Sequence, residues 1–475
     1  MTIDSLNWVD NEFQHLNLCD KRLNTRLLFI AKQLATQFGK NVASSFSDWK
    51  GIKAAYRFFS NTKVTINDIL SSHTTETLNR VRDHDRVLFI QDTTYINYKN
   101  RPKTQGLDIT NGNKKHSEDT TGLMLHNTLA LSTEGIPLGL INQSYIDRKQ
   151  LHEGTYEEKR QRRHWNNKVS DKESLRWITE VKASQNFETG STDIIHIADR
   201  ECDFYEFFRD TSAIDAHVLI RAARNRSINK EHRRAKPEVY LFDFLEGQRA
   251  QGKMTIRLQI NGEDKYRQAI VSVIYRPISM PPPPNKTKTK NKDGDLPLLD
   301  LFAVMAIERN PPKGHDALCW VLLTDLSVTT LEEAIEKIQW YALRWNIELF
   351  HKVLKSGCAI EQAQLRHAER LKKYITVKSV IAWRLFWLSR YCKEDSQANC
   401  LSVLTKEEWV ILYRKTHKTK CLPNSPSSVG DVFIWIAKLG GYIGRRTDPP
   451  PGMISLWRGW QRLMDMIEDY QDICG

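Results

Sequence analysis

The sequence predicts an α/β protein in which a mixed-sheet core, interrupted by an inserted β region, is flanked by helical N-terminal and C-terminal regions. Three observations carry this prediction. Residues 1–65 show apolar side chains at helical spacing, the chain from about residue 86 alternates apolar strands with helical segments, and the last hundred residues are again mostly helical. At roughly 150 residues per domain, a chain of 475 residues is expected to form about three domains.

The N-terminal region is predicted to contain two amphipathic helices. The first has apolar residues every three or four positions: Leu23, Leu27, Ile30, Leu34 and Phe38. The second places its apolar side chains on one face: Trp49, Ile52, Tyr56 and Phe59. Its basic side chains fall on another face: Lys50, Lys53 and Arg57. A basic face can follow DNA phosphates, and an ordinary solvated helix face explains the same pattern.

The central region predicts the strands of the core. Buried strands are indicated by RVLFIQDTTYINY, DIIHIAD, AHVLIRA and CWVLLTDL, and HNTLALSTEGIPLGLINQSYI predicts two strands joined at Thr133-Glu134-Gly135. Ser170 with Glu173 and Thr330 with Glu333 are capping boxes, which predict helices running to about Phe187 and about Gly357. The inserted region, 224–317, combines β segments with a proline run and a lysine-rich stretch that predict loops.

Composition and charge restrict the class of partner. The net charge of +13 favours a polyanion, either nucleic acid or an anionic membrane. No apolar run approaches the 18 or so residues of a spanning helix, and the acidic N-terminus lacks the pattern of a signal peptide. We therefore expect a cytoplasmic, nucleoid-associated protein with no membrane partner. The eight cysteines form no C-x-x-C pair, which disfavours a zinc ribbon and indicates reduced, packed thiols.

Two aspartates follow apolar strands of the predicted core. Asp92 and Asp199 each stand at the end of such a run. Either residue alone reads as a capping or turn aspartate. Because neighbouring strands lie about 4.8 Å apart, however, two carboxylates at equivalent places can converge on one cation.

A set of polar residues follows the predicted long helix. Tyr341, Arg344, Glu348 and Lys355 are spaced by three, four and seven residues and fall along one stripe. The spacing alone favours an ordinary amphipathic helix with an Arg344–Glu348 pair. Together with the two aspartates, Glu348 completes an oxygen ligand set that suits two Mg²⁺ ions for in-line displacement at a phosphate.

At these residues the sequence resembles the bacterial DDE cut-and-paste transposases of the insertion-element family that includes the Tn-five transposase. Asp92-Thr93-Thr94 resembles the first motif and Asp199-Arg200-Glu201 with Asp203 the second, with Cys202 where a small residue is usual. The third motif, Y-x2-R-x3-E-x6-K, is the most specific of the three. Similarity extends to GK at 39–40, AYRFF at 55–59, NPPKG at 310–314, WVLLT at 320–324 and LGGYIGRR at 439–446.

This resemblance implies a ribonuclease H-like core and a specific role for each of several residues. It implies that Asp92, Asp199 and Glu348 bind two Mg²⁺ or Mn²⁺ ions, while Tyr341, Arg344 and Lys355 hold DNA near the cut. Trp320 matches the position on which a flipped base stacks, with a core tryptophan as the alternative. Arg221 and Arg224 match basic positions that line the cleft.

The resemblance also implies where double-stranded DNA and a second subunit bind. We expect an end-binding domain at 1–65, a catalytic domain at 66–368 and a C-terminal dimerisation domain at 369–475, with a homodimer in the synaptic complex. The candidates for contacts to transposon-end DNA are all basic: Lys21, Arg22, Arg26, Lys40, Lys50, Lys53 and Arg57.

The sequence therefore predicts a DNA transposase that cuts and joins transposon ends to target DNA, with a hairpin intermediate. Three alternatives stay open. A ribonuclease H-like nuclease or recombinase would cut without joining ends to target, and a catalytically silent regulator would bind DNA without cutting it. A basic architectural protein would explain the charge and leave the motifs without a role.

Overall fold

The computed structural model describes residues 7–109, 121–146, 174–228, 239–259, 266–283, 296–445 and 448–474. The Ser170–Glu173 capping box and the lysine-rich stretch 285–295 lie outside these ranges. The chain forms two compact units. The first comprises Met1–Asp83, Thr93–Gln161 and Asn346–Gly475, and the second comprises His84–Asp92 and Arg162–Trp345.

The first unit contains most of the described helices. Its helices are α1 (Asn7–Glu12), α2 (Lys21–Thr36), α3 (Trp49–Phe59), α4 (Ile66–Val81), α9 (mainly in this unit, Trp345–Lys352), α10 (Ala368–Glu394), α11 (Lys406–His417), α12 (Val429–Leu439) and α13 (Met453–Cys474). Those of the second unit are α5 (Leu175–Ser184), α6 (Tyr205–Ser212), α7 (Leu241–Glu246) and α8 (Leu331–Ala342).

Strand β1 (Arg86–Asn97) supplies residues to both units. The first unit adds β2 (Asp108–Ile109), β3 (Thr121–Ser132) and β4 (Pro137–Ile146). The second adds β5 (Asp193–Ala198), β6 (His217–Arg221), β7 (Ser227–Ile228), β8 (Val239–Tyr240), β9 (Gly252–Gln259), β10 (Tyr266–Met280), β11 (Leu299–Ile307) and β12 (Cys319–Thr324).

The second unit is built on a mixed sheet with the order β1-β5-β6-β12-β11-β10-β9. Strands β1, β5 and β6 are parallel, and the remaining strands of this order pair antiparallel. Helices α5 and α6 cover the sheet through a core that includes Trp177, Phe207 and Leu323. Parallel strands that are buried on both faces consist of continuous apolar residues, and β5 and β6 were therefore easy to predict from the sequence.

In the first unit, β3 pairs with β4 in an antiparallel hairpin, and β3 also pairs with β1. The turn of the hairpin has Gly135 at φ +92, a conformation that favours glycine, and the Gly135 N–H donates to the Ser132 carbonyl at 3.0 Å. The strand orders β4-β3-β1 and β1-β5-β6 are those of a ribonuclease H-like core. The predicted fold class, a mixed sheet with an inserted β region and helices at both termini, is confirmed.

The inserted region contains four described elements that were not predicted: the strands β7, β8 and β11 and the helix α7. Strand β11 (Leu299–Ile307) pairs with β10 on one side and β12 on the other, and the sequence analysis did not assign it. The segment LDLFAVMAI is short, and an apolar run of that length does not distinguish a strand from a buried helix by periodicity.

The predicted long helix after the Thr330–Glu333 capping box is interrupted twice. The capping box is present, but α8 ends at Ala342, and the Arg344 N–H donates to the Tyr341 carbonyl in a tighter turn before α9 begins. A π-helical turn, Val353–Gly357, then follows α9. The prediction of one uninterrupted helix from the capping box to about Gly357 is therefore wrong. Neither glycine nor proline marks the first interruption in the sequence.

The apolar face predicted for α3 is also wrong in part. Trp49 is 72% exposed, and the helix buries the predicted Phe59 together with Gly51, Ala55 and Phe58. For α2 the prediction is confirmed, because Leu27, Ile30 and Leu34 are fully buried. Among the helices that the structure describes, none combines the length and apolar character of a membrane span.

Candidate active site

Two aspartates of the second unit lie on or directly after neighbouring parallel strands: Asp92 is on β1, and Asp199 follows the last residue of β5. Strands β1 and β5 pair in a register that sets Ile90 opposite Ile197. Asp92 and Asp199 each come two residues after that pair. Adjacent strands lie about 4.8 Å apart, and residues two apart point to the same side of a sheet. One detail differs from the prediction, since Asp92 lies within β1, which runs on to Asn97, and not at its end.

Asp199 begins the short helical turn Arg200–Cys202. Its Oδ1 accepts a hydrogen bond of 2.9 Å from the Glu201 N–H, so the capping role considered from the sequence is present. The carboxylate is half-buried. One capped oxygen lone pair leaves a carboxylate able to bind a further group, because its two oxygens offer about four acceptor sites.

Asp203, four residues later, has a structural task. It is 3% exposed, pairs with Arg226, and its Oδ2 accepts the backbone N–H groups of Ala223 and Arg224 at 2.7 and 3.1 Å. A buried carboxylate with these partners fixes the loop after β6. Arg224, predicted to line the cleft, stands exposed on that loop.

Arginine side chains gather around Asp199 and Tyr341. Arg221 and Asp199 each come one residue after the last pair of β6 with β5, and the Arg221 guanidinium donates a hydrogen bond of 3.1 Å to the Cys319 carbonyl. Burial lowers the pKa of Arg221, and the charges of Arg200 and Arg344 act in the same direction. Burial raises the pKa of Tyr341, while Arg344 and Arg221 act against it. Three guanidinium groups therefore share one neighbourhood at the edge of the sheet where Asp199 lies.

Trp320 lies on β12, two residues from Leu322, which pairs with Arg221. The Trp320 ring meets the Tyr341 ring edge-to-face, with centroids 5.2 Å apart and an angle of 74°. The side chain is half-buried, so it is not a core tryptophan of the sheet. An edge contact of this kind fixes the ring while leaving part of its surface open to a stacking partner.

Glu348 lies in the first unit, in the first turn of α9, where a carboxylate suits the helix dipole. It is half-buried, and Lys355 is half-buried on the π-helical turn that follows. Turns of this type occur frequently at functional sites.

Two polar side-chain pairs lie in this part of the first unit, and neither was predicted from the sequence. The Asn127 amide donates to Nε2 of His351 at 3.1 Å, and Thr93 Oγ1 lies 2.8 Å from Nδ1 of His126. Burial lowers the pKa of His351 to about 3, so the ring is neutral near pH 7. An amide nitrogen can only donate, so the ring proton resides on Nδ1. The signal was present as the polar pair His126-Asn127 inside an apolar strand.

The donor chemistry of the carboxylates fits a hard divalent cation. Among the described residues, no group of three or more His, Cys, Asp or Glu side chains is placed to hold a metal. Mg²⁺ usually takes one or two carboxylates and completes its shell with water and phosphate oxygens. Asp92 on β1 and Asp199 directly after β5 offer two carboxylates of the kind that Mg²⁺ takes from a protein.

The basic residues predicted to contact transposon-end DNA are all exposed in the first unit. They lie on α2, after it and on α3: Lys21, Arg22, Arg26, Lys40, Lys50, Lys53 and Arg57. Exposure is required of a phosphate contact and does not by itself distinguish a DNA surface from a solvated face.

Two buried lysines of α10 fix the ends of the N-terminal helices. Lys378 is fully buried, and its ammonium donates to the Phe38 carbonyl at 2.7 Å and to the Leu34 and Lys40 carbonyls at 3.4 Å. Lys373 donates to the Asn61 carbonyl, just beyond α3, at 2.6 Å. Helix ends leave carbonyl groups without partners, and a cation there also suits the dipole.

Comparisons with known proteins match both ends of the chain. Residues 5–64 match a family model described as transposase DNA-binding, and residues 380–472 match one described as the transposase Tn5 dimerisation domain. A cryo-EM structure of a piggyBac transposase synaptic complex with hairpin DNA aligns over 82% of this chain and 72% of that chain. Its identity of 8% and TM-score of 0.34 are too low to support an argument.

Proposed function

We propose that this chain, which belongs to the Tn5-like family of transposases, cuts DNA at transposon ends and joins those ends to target DNA by metal-dependent phosphoryl transfer. Its role in DNA transposition follows from the family. The proposal concerns which carboxylates bind the ions and in which order the steps of the reaction follow. The observation that supports it best is the pair Asp92 and Asp199 on adjacent strands, with Arg221, Arg344 and Tyr341 gathered beside Asp199.

Asp92, Asp199 and Glu348 would hold two Mg²⁺ or Mn²⁺ ions. Such ions, when bound, activate the attacking oxygen and stabilise the leaving oxygen of an in-line displacement. The chain's own contribution is to place three carboxylates on a strand, a strand end and a helix, so that the ligands do not depend on flexible loops.

The arginines and Tyr341 would bind the scissile phosphate. Guanidinium groups bind phosphate oxygens through paired hydrogen bonds, and the Tyr341 hydroxyl can donate another. The clustering of Arg200, Arg221 and Arg344 places like charges together, which a bound phosphate would neutralise. Lys355, on the turn that follows the helix of Glu348, would hold DNA near the cut. Arg224, on its exposed loop, would contact the flanking DNA backbone.

The reaction would proceed as successive displacements at phosphorus, each breaking one P–O bond and forming one. Water first frees a 3′-hydroxyl at the transposon end. That hydroxyl attacks the opposite strand and forms a hairpin, water reopens the hairpin, and the new 3′-hydroxyl attacks target DNA. Trp320 would stack on a base displaced by hairpin formation, an interaction worth about 1–3 kcal/mol.

The N-terminal and C-terminal segments would assemble the DNA complex. The exposed cations of α2 and α3 would contact transposon ends, and the segment that matches the dimerisation domain would join two copies of the chain in a synaptic complex.

The test is cleavage of DNA that carries the element's own ends, with Mg²⁺, in the parent protein and in Glu348→Gln. We expect the variant to bind ends with parental affinity and to give neither nicks nor hairpins. Glu332→Gln, an exposed carboxylate in the first turn of α8, is the matched control and should cleave normally. Full cleavage by Glu348→Gln would reject its assignment. A parent protein that binds ends and does not cut in Mg²⁺ or Mn²⁺ would favour the silent DNA-binding regulator.

A further inference from the structure

A strongly basic surface lies at the end of α11, in the segment that matches the dimerisation domain and away in sequence from every DNA contact assigned above. Within the seven residues 414–420 the charged side chains are Arg414, Lys415, Lys418 and Lys420, with His417 between them. All five are exposed. We call these residues, with Tyr413, the 413–420 surface.

The charge of this surface is concentrated rather than shared with the segment around it. Residues 380–472 contain thirteen Lys and Arg and ten Asp and Glu, a net charge of +3. The stretch 414–420 carries four of those cations and no carboxylate, so the remainder of the segment is slightly acidic. Among the described residues, none of the four cations forms an ion pair.

The dipole of α11 does not by itself explain why four cations lie at the end of this helix. Arg414, Lys415 and His417 lie in the last turn of α11, where positive charge is favourable. The partial charge at a helix C-terminus, however, is only about half an elementary charge. Four cations exceed that requirement several-fold and repel one another, which favours an anionic partner from outside the chain.

The surface is held in place by packing. The His417 ring stacks on Tyr413 with centroids 4.2 Å apart at 18°, and meets Trp435 of α12 edge-on at 4.7 Å and 83°. Nδ1 of His417 donates to the Tyr413 carbonyl at 3.1 Å. Lys418 then ends the helix with φ +53, a left-handed conformation that favours glycine. The cations therefore project from a fixed helix end.

We propose that the 413–420 surface binds the phosphate backbone of duplex DNA, as a contact separate from the N-terminal domain and from the active site. Lysines and arginines on a rigid element, with half-buried aromatic rings beside them, suit a backbone that carries one negative charge per roughly 1.7 Å of helix axis. The duplex can be the transposon end or the target. Both present the same chemistry, so the experiment separates them.

The test uses the full chain with four substitutions: Arg414→Gln, Lys415→Gln, Lys418→Gln and Lys420→Gln. The control removes the same charge from exposed positions elsewhere in the segment: Lys406→Gln, Lys438→Gln, Arg445→Gln and Arg458→Gln. Affinity is measured against salt concentration for a duplex with the element's end and for one of equal length without it. We expect the test variant to lower the slope of log K against log salt by about 3 to 4, because each phosphate contact contributes about 0.9.

The two duplexes identify the source of the DNA. An equal loss on both assigns the surface to general duplex such as target DNA, and a loss confined to the end duplex assigns it to end binding. Unchanged slopes on both, or an equal loss in the control, would overturn the proposal. So would a change in self-association by sedimentation without a change in DNA affinity, since the partner would then be a second copy of the chain.

A single variant separates DNA binding from folding. Lys418→Gly removes one charge and places glycine at the left-handed position. We expect its melting temperature to be equal or higher and its salt slope to fall by about 0.9. A lower melting temperature with parental affinity would contradict the proposal at this residue.

Discussion

The surroundings of Asp199 and those of Glu348 differ in the charge of the groups that support them. Beside Asp199, in the second unit, stand the cations of Arg221 and Arg344. Helix α9, which carries Glu348 in the first unit, includes His351, which is neutral and hydrogen-bonded to Asn127. Clustered cations are costly unless an anion joins them, whereas a neutral buried pair stabilises the fold by itself. We infer that the arginines beside Asp199 bind substrate and that the His351–Asn127 pair positions helix α9, which carries Glu348.

The largest effect expected from this comparison is at Arg344. Arg344→Ala should lower the rate of end cleavage by about 10²-fold, or ~2.7 kcal/mol, because a donor to the phosphate in the transition state is lost. Single-turnover cleavage of preformed protein–DNA complexes measures it. Arg309→Ala, an exposed arginine of the same unit, is the control and should leave the rate unchanged. Equal rates for Arg344→Ala and the parent would remove the substrate role from this cluster.

Substitutions in the His351–Asn127 pair should change the stability of the protein as well as its cleavage rate. His351→Leu leaves the Asn127 amide buried without its acceptor, which should cost about 1–3 kcal/mol of unfolding free energy. The double variant His351→Leu with Asn127→Leu should recover most of that loss, because both polar partners are gone. If the pair positions α9, cleavage should stay impaired in the double variant. Recovery of both stability and cleavage would assign the pair to folding alone.

The carboxyl group of Glu408 extends the comparison, because it is buried, whereas those of Asp199 and Glu348 are only half-buried. Burial raises the pKa of Glu408 to about 7, against hydrogen bonds from Thr405 that act in the opposite direction. The folded chain then holds a proton that the unfolded chain loses near pH 4.5, so this group lowers stability as the pH rises from about 4.5 to 7.

Glu408→Gln removes that dependence. Its melting temperature should exceed that of the parent by more at pH 8 than at pH 5, with a gain of about 1–3 kcal/mol at the higher pH. Thermal unfolding in matched buffers measures the difference. A gain of the same size at both pH values would show that the carboxyl group does not titrate between them.

The smallest effect is expected at the exposed cations of α3. Lys53→Gln with Arg57→Gln should weaken binding to the transposon end and lower its salt slope by about 1 to 2, with no change in melting temperature. Lys63→Gln, an exposed lysine beyond α3, serves as the control. An unchanged salt slope would leave these cations as an ordinary solvated face.

Strands and capping boxes were predictable because their signals are local. Continuous apolar runs marked β5 and β6, and Thr330 with Glu333 marked the start of α8. The interruption between α8 and α9 was not predictable, since no residue there forbids a helix. The exposure of Trp49 depends on what packs against α3, which a periodic pattern does not contain.

Some residues of the candidate site could likewise be predicted from the sequence, and others could not. The motif residues could be named from the sequence, and the placement of Asp92 and Asp199 at neighbouring strands follows from strand pairing. The buried groups that support the site and the N-terminal helices, among them His126, Asn127 and Lys378, become visible only once distant segments pack together.

The central claim is that Asp92, Asp199 and Glu348 gather around the same ions. Replacing Mg²⁺ by Fe²⁺ and generating hydroxyl radicals breaks the polypeptide near bound metal, so the cut positions in the full chain with end DNA report the ligands directly. We predict cuts near residues 92, 199 and 348, all suppressed by excess Mg²⁺. Cuts near 92 and 199 with none near 348 would contradict the claim.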